Sequence, residues 1–102
     1  MLASPPVIEA APVKVEATKT SITVSWTLTS NGGSPVLGYL LYRLDKDIGG
    51  TELVYDGSLR PSISSFKDTS VITGWKYTYV VQAINRIGNS KNSNESAIII
   101  PS

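Results

Sequence analysis

The residues in this chain best suited to chemistry are the carboxylates of Asp45-Lys46-Asp47-Ile48-Gly49-Gly50 and Asp56. Counted from Asp45, carboxylates stand at positions one, three and twelve and a glycine at position six. That echoes a calcium loop, in which oxygen ligands at alternating positions wrap a hard cation around a glycine turn. The pattern is incomplete. Position five is Gly49, position twelve carries a shorter aspartate where glutamate is expected, and strand-forming sequence flanks the loop. A polar hairpin accounts for these residues better. Asp45 and Asp47 also have the composition for acid-base work, but glycosidase-type chemistry needs carboxyls opposed across a cleft, and two carboxylates so close on one loop are solvated charges instead.

The remaining composition narrows the chemistry further. There is no histidine and no cysteine, which removes the commonest general base, the thiol nucleophile and the usual transition-metal ligands. The expectation is a chain that is not an enzyme and has no cofactor and no metal. Nine basic and eight acidic residues are spread singly, for a net charge of +1, so no field favours phosphates, and nucleic acid is not an expected partner. No apolar run approaches the roughly 20 residues of a membrane helix. Met1-Leu2-Ala3-Ser4 lacks the basic and apolar regions of a signal peptide, and the chain reads as a fragment of something longer, with one domain in its 102 residues.

The elements that carry these loops are strands. Gly74 to Asn85 is the central one: Tyr77, Tyr79, Val81 and Ala83 share one face of an extended chain, and Thr78, Val80 and Ile84 on the other are β-branched. Ile22, Val24 and Trp26 alternate with small hydroxyls, which makes Trp26 a core anchor. Leu37, Tyr39 and Leu41 have the inward phase of a strand over residues 36–44, leaving Leu40 and Tyr42 outward. Residues 51–55 return from the Asp45 hairpin, and a short strand carries Phe66 inward. Pro12 opens an edge strand through Val13, Val15 and Ala17, and residues 1–11, with Ser4-Pro5-Pro6, read as a linker. With a last, partly polar strand over 90–100, seven strands separated by turn signals imply a two-sheet antiparallel sandwich.

At this point the residues resemble a fibronectin type III domain over 12–102. The resemblance rests on Pro12, on Trp26, on Gly33-Ser34-Pro35 leading to Gly38-Tyr39, and on Val71, Gly74, Tyr77, Tyr79, Val81, Ala83, Asn85 and Gly88, in order and at matching spacing. It implies a seven-stranded immunoglobulin-like β-sandwich whose core holds Trp26, Tyr39, Phe66, Tyr77, Tyr79 and Val81. It also implies that the Tyr77 hydroxyl bonds backbone near Val71. Val71 and Thr73 stand where the family usually has leucine and proline, and no Arg-Gly-Asp occurs.

Two surfaces are candidate partner contacts. Leu40, Tyr42, Val80 and Ile84 form an outward apolar group if their strands are adjacent, as the resemblance implies; Arg86 and Ile87 sit on a loop tip, at the same pole as residues 30–34 by family topology. The expected function is a non-catalytic spacer or protein-interaction module, for adhesion or scaffolding, of a larger multidomain protein, extracellular or at the cell surface. Its expected partners are neighbouring domains and another protein, the isolated domain being a monomer without membrane insertion. Alternatives are an accessory module of a secreted carbohydrate-active enzyme, which needs exposed coplanar aromatics from Trp75, Tyr42 and Tyr55, and a structural module of an intracellular, cytoplasmic filament-type protein. Asn94-Glu95-Ser96 is a glycosylation acceptor if the protein is secreted.

Overall fold

The computed structural model describes residues 3–102. Among the described residues six strands follow one another: β1 (Val13–Ala17), β2 (Ile22–Ser25), β3 (Gly38–Asp45), β4 (Thr51–Gly57), β5 (Ser65–Asp68) and β6 (Tyr77–Ile84). They form two antiparallel sheets, ordered β1-β2-β5 and β4-β3-β6. Side chains that alternate along each strand close on one core. Ile22 and Val24 from β2, Leu41 from β3 and Tyr79, Val81 and Ala83 from β6 are wholly buried, with Trp26, Tyr39 and Tyr77 beside them. Trp26 packs between the rings of Tyr39 and Tyr55, 5.7 and 6.2 Å away.

The expected seventh strand takes a different form. After Gly88, Ser90, Ser93 and Ser96 donate their backbone N–H to the carbonyls of Ala83, Val81 and Tyr79 at 2.7, 2.9 and 2.9 Å. Their hydroxyl oxygens accept from the N–H groups of the same three residues at 2.9, 3.0 and 2.9 Å. Three residues of this segment therefore match two of β6, and a serine oxygen stands where an ordinary strand would offer a carbonyl. Regular pairing returns only at Ile99, which exchanges both backbone bonds with Tyr77.

Other expectations need correction. Of the stretch expected as a linker, Met1 and Leu2 lie outside the described residues, while residues 4–9 are part of the body. Val7 exchanges backbone bonds with Ser30, the Glu9 carbonyl accepts from Asn94, and Ile8 is buried in the core. An apolar Val-Ile pair after two prolines is enough to dock an extended segment. Val13 and Val15 on the first strand are 62% and 60% exposed. A bulge between Lys14 and Glu16 breaks the alternation, so Pro12 and Ala17 face the body instead, and the irregular edge is blunted against pairing with other chains. Leu37 lies before β3 and is exposed, and Val36 packs on the core in its place. Phe66 is half-buried at the sheet margin, its ring stacked on Tyr55 at 4.8 Å, because β5 is an edge strand.

Candidate functional site

The turn after β6 is built by Asn85, whose side chain is buried. Its Oδ1 accepts from the N–H groups of Ile87 and Gly88 at 2.9 and 3.2 Å, and its Nδ2 donates to the carbonyls of Ser4 at 2.7 Å and Asn31 at 2.8 Å. One amide thus joins the turn, the 30–34 loop and the N-terminal segment. The approach is close. Gly32 has φ +73°, and a Cβ there would lie 2.2 Å from the Ser4 carbonyl oxygen, so only glycine fits. The consequence is a rigid pole on which Arg86 and Ile87 are exposed, beside the 30–34 loop.

The sheet-face group is less open than its sequence phase suggests. Leu40, Tyr42 and Ile84 are half-buried, and Val80, expected outward, is buried. Tyr42 lies opposite Val80 in the β3–β6 register. β6 is flanked on both sides, by β3 and by the serine-bearing segment, so a short valine between them barely reaches solvent. The strands are adjacent, but the four residues do not make an exposed apolar patch. The aromatics considered for a sugar platform are also recessed: Tyr42, Tyr55 and Trp75 are half-buried, and Tyr55 and Trp75 pack on the core.

At the opposite pole the hairpin carboxylates serve the turn. Asp45 Oδ1 accepts from the N–H groups of Asp47 (2.9 Å) and Ile48 (3.2 Å), and Asp47 Oδ2 accepts from the Lys76 N–H at 2.6 Å. Asp56 lies at the other end of β4, opposite Leu40, and accepts from the Ser58 N–H, 3.1 Å away. Among the described residues no three His, Cys, Asp or Glu side chains group as metal ligands.

The strongest electrostatic feature was not singled out from the sequence. Tyr39, Leu41 and Arg43 share the inward face of β3, and Phe66 and Asp68 that of β5, so the two charges meet inside the sandwich. Arg43 reaches Asp68 at 2.8 and 3.1 Å, Ser70 at 2.8 Å and Glu52 at 2.7 Å, and lies over the Tyr77 ring at 5.3 Å. Asp68 also accepts from the Tyr79 hydroxyl at 2.8 Å and from the N–H and hydroxyl of Ser70 at 3.1 and 2.8 Å. Burial works against its charge, but the hydrogen bonds of Arg43, Ser70 and Tyr79 outweigh it and hold the carboxyl below its usual range. The Tyr79 phenol is pushed up by burial and then by the Asp68 charge beside it. Such a network is fully occupied with itself and offers no nucleophile or free base. Two lone opposite charges at inward positions of two strands were the available signal, since inward charges must pair.

Beside it, the corner expected at Tyr77 is present: the Ile72 N–H donates to the Tyr77 hydroxyl oxygen at 3.0 Å. Gly74, with φ +85°, donates to the Pro101 carbonyl at 2.9 Å, which holds Pro101 at this pole.

Comparison with known proteins agrees with this architecture. The family model for the fibronectin type III domain matches residues 5–99. A titin homolog of Caenorhabditis elegans is 32% identical over 95 residues, covering 87% of this chain and 0% of its own length. The human cell adhesion molecule DSCAM is 31% identical over 94 residues, covering 92% of this chain and 4% of its own. The chain therefore spans only a small part of these relatives. Among solved structures, domains A168-A170 of titin superpose with a TM-score of 0.84 at 21% identity, covering 96% of this chain and 32% of that one. From the sandwich, the tyrosine corner and the matching family model together, the chain belongs to the fibronectin type III family.

Proposed function

We propose that this chain is a non-catalytic spacer and protein-interaction module of a larger multidomain protein at the cell surface. The observation that carries the reading is where the chain enters and leaves. Ser4 is held at the Asn85 pole and Pro101 at the Gly74 pole, at the two ends of β6, in a body measuring 48 × 23 × 17 Å. A rigid rod entered at one end and left at the other sets a fixed separation between whatever precedes and follows it. The small share of each relative that the chain covers supports a module within a longer polypeptide.

The test is to replace residues 3–102, in the intact host chain, by an unrelated sandwich of equal length. A pure spacer tolerates the exchange and an interaction module loses partner binding. Loss of a turnover activity overturns the reading. The second reading, a module of an intracellular filament-type protein, is favoured by the likeness to the titin homolog. A glycan on Asn94, which is exposed, decides for the cell surface.

A further inference from the structure

Of the five asparagines in the chain, Asn31 alone is followed by glycine. The peptide nitrogen after an asparagine can attack the side-chain amide to close a five-membered imide, and a glycine there puts no Cβ in the way. Asn31 is exposed on the 30–34 loop, at the Asn85 pole. Its surroundings favour the attack. Asn31 Oδ1 accepts from the Gly33 N–H at 2.8 Å, which draws charge onto the oxygen and opens the amide carbon to a nucleophile, as an oxyanion donor does. The Gly32 N–H donates to Ser30 Oγ at 3.2 Å, on an exposed residue that passes the proton to water. The other asparagines lack this arrangement. Asn85 is buried with both ends of its amide bound. Asn89 and Asn92 precede serines, but the Ser90 and Ser93 N–H groups donate to the Ala83 and Val81 carbonyls at 2.7 and 2.9 Å, and nitrogens held so against β6 cannot turn on the amides before them.

We propose that Asn31-Gly32 is a self-modification site whose conversion unlatches the N-terminal segment from the Asn85 pole. The Gly32 N to Asn31 Cγ bond forms, the Gly32 N–H proton passes through Ser30 Oγ to water, and the Asn31 Cγ–Nδ2 bond breaks as ammonia leaves with a proton taken from water. A second water opens the imide, adding its hydroxyl to either carbonyl carbon and its proton to the Gly32 nitrogen, and gives aspartate or the β-linked isomer. The β-linked isomer lengthens the main chain by one carbon and turns the Asn31 carbonyl, which accepts from Asn85 Nδ2 at 2.8 Å, into a free carboxylate. Gly32 cannot absorb the change in place. Its carbonyl accepts from the Ser4 N–H at 2.8 Å, and a Cβ on it would lie 2.2 Å from the Ser4 and 2.6 Å from the Pro5 carbonyl oxygen. In the module reading above, the released segment is the joint to the preceding domain, which the conversion loosens.

The test is incubation of the folded 102-residue chain in mildly alkaline buffer made with ¹⁸O-enriched water, followed by peptide mapping and hydrogen exchange. The expected result is that label enters at Asn31, mostly in the β-linked isomer, while Asn89 and Asn92 keep their amides. The Ser4 and Val7 N–H groups, bonded to the Gly32 and Ser30 carbonyls, lose protection in proportion to the conversion. Asn31→Gln, whose amide is one methylene too far for a five-membered ring, keeps both protected through the same incubation. Ser30→Ala slows conversion of the folded chain and leaves that of the urea-unfolded chain unchanged. Both positions are exposed, so the variants fold, which their spectra verify. Conversion only in the unfolded chain, conversion of Asn89 or Asn92 as fast as that of Asn31, an unchanged folded-state rate in Ser30→Ala, or converted chains in which Ser4 and Val7 stay protected overturn the proposal. The chemistry needs no neighbouring domain, so its failure leaves the module reading standing.

Discussion

The Asp68 carboxylate on β5 and the Arg43 guanidinium on β3 meet at 2.8 Å inside the sandwich, each side chain almost fully removed from solvent. Together with the Tyr79 hydroxyl of β6, which also donates to Asp68, the pair links the two sheets through polar contacts within an otherwise apolar core. Removing Arg43 leaves the buried Asp68 carboxylate without a counter-charge, so Arg43→Met is expected to cost about 3–5 kcal/mol. Urea unfolding measures it. Asp68→Asn, which removes the buried carboxylate and leaves Arg43 paired with Glu52 at 2.7 Å, is expected to cost less.

The same carboxyl sets a pH dependence. Its folded pKa lies below the unfolded value, so unfolding takes up a proton wherever the pH lies between the two. The stabilisation is complete above the ordinary aspartate range and is lost as pH falls through the folded value. Unfolding midpoints measured from neutral pH down to about pH 2 should decline in the parent, and part of that decline should be missing in Asp68→Asn.

The serine ladder makes a local prediction. Ser90, Ser93 and Ser96 each offer a side-chain oxygen to a buried N–H of β6. Replacing any one by alanine leaves that N–H without its acceptor, at about 1–3 kcal/mol. Hydrogen exchange at Tyr79, Val81 and Ala83 reports which position has been opened: Ser96→Ala should accelerate Tyr79, and Ser90→Ala should accelerate Ala83.

Asn85→Ala removes four hydrogen bonds from one buried side chain. The N-terminal segment, the 30–34 loop and the Arg86-Ile87 turn are expected to loosen together, and limited proteolysis should cut first near Ser4 or Asn31. Gly32→Ala acts at the same pole by strain, since its positive φ and the Ser4 carbonyl both exclude a Cβ. Both variants should leave the exchange of Tyr77 and Ile99, at the far pole, unchanged.

Tyr77→Phe removes the acceptor of the Ile72 N–H while keeping the ring under Arg43. A loss of about 0.5–1.5 kcal/mol is expected, readable as a lowered thermal midpoint by calorimetry.

Alternation by itself determined the two-sheet sandwich and most of its core, because the period of two along Ile22-Val24-Trp26 and Tyr77-Tyr79-Val81 dictates which side chains face inward whatever lies opposite. The polar nature of the Asp45 hairpin was legible because it is local, set by residues a few positions apart, and the tyrosine corner was legible through the family resemblance. Tertiary structure decided the rest. Val80 has an outward phase, yet the 90–99 segment beside it closes it off. Ile8 follows two prolines that read as a linker, and only the proximity of Ser30 and Asn94 draws it into the core. The exposure of Val13 and Val15 follows from a bulge in β1 between Lys14 and Glu16. Arg43 and Asp68 are 25 residues apart, and their pairing depends on how the two sheets stack. Period and local turn chemistry act within a strand; burial, register and long-range charge pairing depend on which segment comes to lie alongside.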